Sequence, residues 1–115
     1  MDPDLKNQQI ELCRHYGASW VESPLNHKVG VSENVKTGVV PINGLRQPPS
    51  RDTTGWYIWA GEKLSKDPEF FRPLHVEHLA EWCPVVLRYL GLPPGWRFLV
   101  ASNYEDVWYD PSLTK

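Results

Sequence analysis

The stretch D-T-T-G-W-Y-I-W-A-G-E at residues 52–62 limits the fold more than any other part of the chain. Trp56, Tyr57 and Trp59 fall within four residues, bracketed by Gly55 and Gly61. Read as a strand over 56–60, it sends successive side chains to opposite faces. Trp56, Ile58 and Ala60 share one face; Tyr57 and Trp59 share the other. One of these faces needs an apolar layer to cover it.

A covering layer is available downstream. Val76, Leu79, Cys83, Val86, Leu87 and Leu90 recur at spacings of three and four, an apolar stripe on a helix over 73–90. Pro84 lies inside this helix and is expected to kink or divide it. The Trp56 face is apolar throughout, and Ala60 leaves room for a helix, so this face is expected to pack on the stripe. Tyr57 and Trp59, each with a polar atom to satisfy, are then left for the opposite, partner-facing side.

Residues 4–20 have a helical texture, with Leu5, Ile10, Leu12, Cys13 and Tyr16 near one stripe, Asp2 or Asp4 as cap and Gly17 as stop. Val29 and Val31 predict a strand over 29–32, with a turn over 34–38. Residues 38–42, G-V-V-P-I, read as a second extended stretch at an edge, or one that ends at Pro41, which has no N–H for a ladder. Residues 43–54 are rich in Gly, Pro, Arg, Asp and Thr and read as a long loop of the kind that carries function. Ser65 and Asp67 ahead of Pro68 and Glu69 form a helix-start pattern. G-L-P-P-G at 91–95 is a stop. Strands are predicted over 96–101, apolar on both faces as a central strand would be, and over 105–109. This order predicts an α+β fold: a mostly antiparallel, twisted sheet of about five strands with helices packed on one face.

The 115 residues suit one domain over 1–115 that can bury a core without metal or disulfide staples. A net charge of −2 and a pI near 6.0 argue against a nucleic-acid partner. No apolar run is long enough for a membrane span, and M-D-P-D-L-K does not resemble a signal peptide, so a cytoplasmic location is expected. Cys13 and Cys83 are then expected to be free, buried thiols.

Catalytic signals are weak. His75 and His78 bracket Val76-Glu77, but on a continuous helix a spacing of three, with Glu77 on the other side, does not match the zinc-protease helix. No metal and no cofactor is expected, and the pair should contact a neighbouring strand or rim a groove. No Ser stands in a G-x-S-x-G elbow, and both cysteines lie on helix stripes. G-L-P-P-G has prolines where a phosphate loop needs free N–H groups. On the last strand Asp106, Trp108 and Asp110 share a face, and Glu105 takes the other. Two carboxylates flanking an indole suit a cation or a basic side chain; they equally suit a solvated face paired with a nearby arginine. Arg46, in N-G-L-R-Q-P-P, can reach Glu62 or Asp52 and serves either as a structural clamp or as a partner contact.

V-S-E-N-V at 31–35, G-L-R at 44–46, residues 52–62 and E-D-V-W-Y-D at 105–110 together resemble a family of bacterial immunity proteins first catalogued as a domain of unknown function. The resemblance spans 29–110 through short motifs. Thr53-Thr54 stands where the family pattern has a single Ser between Asp and Gly. P-L-H-V-E-H-L and L-G-L-P-P-G-W-R-F-L mark a distinct branch. The resemblance implies a small cytoplasmic antidote, encoded beside a polymorphic toxin, that binds and blocks its cognate toxin protein and has no catalysis of its own.

On that reading the partner-binding residues are Arg46, Arg51, Tyr57, Trp59, Glu62, Asp106, Trp108 and Asp110, which combine Trp, Tyr and Arg anchors with a carboxylate rim. Acidic patches suit a toxin that is basic because it attacks nucleic acid. Two other readings stay open. One is a small-ligand or carbohydrate-binding module that stacks its ligand on Trp56, Trp59 or Trp108. The other is an enzyme using His75 or His78 with a carboxylate.

Overall fold

The computed structural model describes residues 2–114. Helix α1 spans Pro3–His15; Asp2 caps it by accepting from the Asp4 backbone N–H at 3.0 Å, with Pro3 in the first turn. Six strands follow: β1 (Lys28–Val31), β2 (Ile42–Arg46), β3 (Thr53–Ala60), β4 (Arg72–His75), β5 (Trp96–Ala101) and β6 (Tyr104–Tyr109). They form one sheet in the order β4-β1-β3-β2-β5-β6, antiparallel at every step except β1–β3. The class is α+β, as expected, with a mostly antiparallel sheet.

The second strand begins where the sequence suggested a loop. Val39 and Val40 are exposed, and the ladder starts after Pro41, at Ile42. Asn43-Gly44 reads as turn chemistry but serves the sheet. The Asn43 amide donates to the Gly61 carbonyl at 2.7 Å, and Gly44 makes room for Phe98. A Cβ on Gly44 would lie 2.1 Å from the Phe98 ring. The true loop between β2 and β3 is therefore residues 47–52.

No helix starts at Ser65 or Asp67. The same cap chemistry closes turns instead, with Asp67 N–H on Ser65 Oγ at 3.1 Å and Glu69 N–H on Asp67 Oδ1 at 2.9 Å. The chain then enters β4, whose Pro73 stands opposite Gly30 on an edge strand, where a sheet tolerates proline. The expected helix over 73–90 becomes a 3₁₀ turn (Val76–His78), one turn of α-helix, α2 (Leu79–Trp82), and a second 3₁₀ segment (Pro84–Tyr89). Pro84 divides the stripe, as predicted.

The divided stripe still covers the Trp56 face. Val76, Leu79, Val86 and Leu90 join Trp56, Ile58, Ala60, Phe98 and Val100 in one core, closed from the other end by Leu12 and Cys13 of α1. Trp56 is 1% exposed and lies 5.5 Å from the Phe98 ring, which stacks on Tyr89 at 4.6 Å. Burying an indole of this kind is worth about 4 kcal/mol by transfer of its apolar area. Both cysteines are free and buried. Among the described residues, no helix is long and apolar enough to cross a membrane.

Candidate functional site

Arg46 ends β2 and turns into the protein. It is 1% exposed. Its Nε donates to the Thr54 carbonyl at 2.9 Å, Nη1 to those of Val21 at 2.9 Å and Leu92 at 2.7 Å, and Nη2 to that of Glu22 at 3.1 Å. Among the described residues no carboxylate pairs with it. Burial pulls the guanidinium down to about 10, opposed by the Cys13 thiol, and it stays charged at pH 7. Of the two roles the sequence left open, clamp or partner contact, Arg46 takes the clamp, and its place among the partner-binding residues falls away: its fork is spent on carbonyls from three stretches of chain.

The Thr54 carbonyl reaches Arg46 through an irregularity in β3. Between Lys28↔Thr53 and Gly30↔Tyr57, β3 uses four residues where β1 uses two. Thr54 Oγ1 donates to the Lys28 carbonyl at 3.0 Å and accepts from Trp56 N–H at 3.1 Å. Gly55 sits at φ +91° against the Gln47 carbonyl, a position closed to any side chain. Thr54 and Gly55 of D-T-T-G lie within this bulge.

The face of the sheet opposite the helices is the candidate interaction surface. Register places Tyr57, Leu45, Arg97 and Trp108 in one row across β3, β2, β5 and β6. The next row holds Trp59, Asn43, Leu99 and Asp106. Tyr57, Trp59, Asp106 and Trp108, predicted from the sequence, thus share one face. Tyr57 is 36% exposed, but Trp59 is only 4% exposed. Phe71 packs edge to face against both, 5.2 Å from Tyr57 and 6.1 Å from Trp59. Trp59 was expected to face a partner; the segment returning towards β4 covers it.

At the other end of the row, Arg97 lies 5.5 Å over the Trp108 ring and pairs with Asp110 at 3.2 Å. Bonds from Ser112 and Arg97 hold the Asp110 carboxyl below its usual value. The two carboxylates beside an indole are thus half engaged: Asp110 holds Arg97, and Asp106 is exposed with no partner among the described residues. A shallow apolar hollow of about 180 Å³, lined by Leu45, Gln47, Tyr57, Leu64 and Phe71, opens on the same face. Glu62 and Arg51 are exposed but do not line it, Arg51 standing at φ +56° in the 47–52 loop.

Sequence reasoning missed a second depression, of about 490 Å³, on the helix side. Val40, Val85 and Tyr104 line it as exposed apolar groups, with Arg88 and Glu105 at its rim. Glu105 accepts from the phenols of Tyr16 at 2.6 Å and Tyr89 at 2.5 Å, tying α1 and the Pro84–Tyr89 segment to β6. Val39-Val40 before a proline was the available signal, absorbed there into a strand.

The model of the Imm33-like domain matches residues 8–110, nearly the whole chain. The chain belongs to the Imm33-like family. No curated protein and no solved structure matches it.

In this Imm33-like domain, the residues behind the resemblance to immunity proteins are mostly structural. Asn34 bridges to the end of β3, donating to the Ala60 carbonyl at 2.8 Å and accepting from its N–H at 3.1 Å, while Ser32 bonds Asn34. Arg46, Gly55 and Glu105 hold segments together as described. A carbohydrate platform is disfavoured, since Trp56 and Trp59 are enclosed and Trp108 has Arg97 over its ring.

Proposed function

We propose that this Imm33-like domain is a non-catalytic immunity protein that binds and blocks the bacterial toxin domain encoded beside it. The toxin docks on the helix-free face of the sheet. The observation that carries the site is the row Tyr57, Leu45, Arg97 and Trp108 across four adjacent strands, three of which contribute a tyrosine, an arginine and a tryptophan. These residue types dominate binding energy at protein interfaces, and strands hold them more rigidly than loops do. Asp106 beside them supplies a free carboxylate for a basic toxin surface. A stable complex buries about 1,200–2,000 Å² in total.

Co-expression with the C-terminal domain of the adjacent toxin gene tests both parts. The pair is expected to co-purify and the host to survive. Trp108→Ala is expected to cost about 2 kcal/mol of binding, roughly 30-fold in Kd. Val85→Ala, in the helix-side depression, should leave affinity unchanged. A toxin that is neither bound nor neutralised overturns the function. Loss of binding in V85A but not in W108A overturns the docking face alone.

A further inference from the structure

We propose that His75, Glu77 and His78 form a binding site for one divalent transition-metal ion of the zinc, copper and nickel class. A continuous helix would keep Glu77 away from the two histidines. The chain is not helical there. His75 is the last residue of β4, and Val76–His78 make a single 3₁₀ turn. With about three residues per turn, positions i and i+3 eclipse. His75 and His78 therefore lie on one side, their ring centroids 6.3 Å apart. Glu77 Oε1 stands 3.6 Å from His78 Nε2. One ligand atom from each of the three residues lies within 4.8 Å of the other two.

A tetrahedral ion with bonds of about 2.0–2.1 Å holds its ligand atoms about 3.3 Å apart. Side-chain rotation covers the difference, because the Glu77 and His78 side chains are about half exposed and free to turn. The backbone beneath them is fixed. Val76 N–H donates to the His27 carbonyl at 2.9 Å, Glu77 N–H donates to that of Leu25 at 3.1 Å, and Val76 is buried in the core. Two imidazoles and one carboxylate suit borderline ions and not calcium or magnesium, which take oxygen ligands. Three protein ligands leave a coordination position for water. The site is independent of the toxin reading and shares no residue with the proposed docking face.

Isothermal calorimetry of tag-free protein with zinc chloride, and visible absorption with cobalt(II), test the site. One zinc per chain is expected, with no heat from magnesium chloride. His78→Ala and Glu77→Gln, both at exposed positions, are each expected to weaken binding at least about tenfold. The double variant H75A/H78A should lose stoichiometric binding, with circular dichroism confirming that H78A keeps its fold. Binding should also fall on acidification, because imidazole binds metal only when unprotonated. The proposal is overturned by stoichiometric binding that survives in H75A/H78A. It is also overturned by a thiolate-to-cobalt charge-transfer band, which would move the ion to Cys13 or Cys83, or by the absence of zinc binding at micromolar concentrations.

Discussion

Arg46 donates to the carbonyl oxygen of Leu92 at 2.7 Å, joining the end of β2 to the segment that leads into β5. Its other donors hold Val21, Glu22 and Thr54. Removing the guanidinium leaves several buried carbonyls without donors, at about 1–3 kcal/mol each before relaxation. Arg46→Met is therefore expected to destabilise the fold by at least about 3 kcal/mol. Arg46→Lys should recover only part of this, because an ammonium lacks the planar fork. Urea denaturation followed by tryptophan fluorescence checks both, and an R46M variant as stable as the parent would refute the clamp.

Glu105 imposes a two-sided pH dependence. Burial raises its carboxyl, but the bonds from Tyr16 and Tyr89 and the charges of Arg88 and His15 outweigh this and hold it below its usual value. The bond to Glu105, then burial, pushes the Tyr16 phenol up to about 12. Burial, then the same bond, raises Tyr89 as well. A carboxyl with a depressed folded value contributes stability above its ordinary 4.5, which is lost as pH falls through the folded value. A raised phenol contributes stability below 10, which is lost as pH rises towards 12. Stability should thus fall both below about pH 4.5 and above about pH 10. Glu105→Gln is expected to cost about 2 kcal/mol at neutral pH and to flatten both limbs. Tyr16→Phe should flatten the alkaline limb and, because it removes one of the bonds that lower Glu105, soften the acid limb in part. Urea midpoints measured across the pH range decide it; an alkaline limb unchanged in Y16F would sink the assignment.

Gly44 is expected to be intolerant for reasons of space. Its backbone runs under the Phe98 ring, and an added Cβ would meet that ring at 2.1 Å. Gly44→Ala should cost about 1–3 kcal/mol as an overpacked core. Pairing it with Phe98→Leu should restore part of the loss, since the collision is with one ring. A double-mutant cycle by thermal denaturation measures the coupling, and strict additivity would count against this contact.

Much of the fold was legible in local pattern. Asp2-Pro3 set the start of α1, Pro84 divided the stripe, and the alternation in 56–60 correctly sent Trp56, Ile58 and Ala60 to the helices. Failures arose where distant pairing overrides local chemistry. Asn43-Gly44 looks like a turn until Phe98 and Gly61 are brought against it. Arg72-Pro73 looks like a helix start until β1 offers an edge. The candidate face was legible in part for the same reason. Tyr57, Asp106 and Trp108 follow from strand parity, whereas the burial of Arg46 and Trp59 depends on segments far away in the chain.

The segment ahead of β5 ties the first helix and the stretch after it to the central strands. Gln9 of α1 donates to the Leu87 carbonyl at 2.9 Å, Ser23 and Trp56 both donate to that of Leu90, and Val21 N–H donates to that of Gly91. Until the ribosome has delivered these residues, the first helix and the central strands have nothing to close on, and β2 lacks its neighbour β5. Domains fold as units during synthesis. Here that unit is complete only once the chain through β5 and β6 has been made. A chain that stopped short of β5 would keep the first helix and the central strands yet lack the contacts that close them, and is expected to be degraded rather than to persist as a half-built domain.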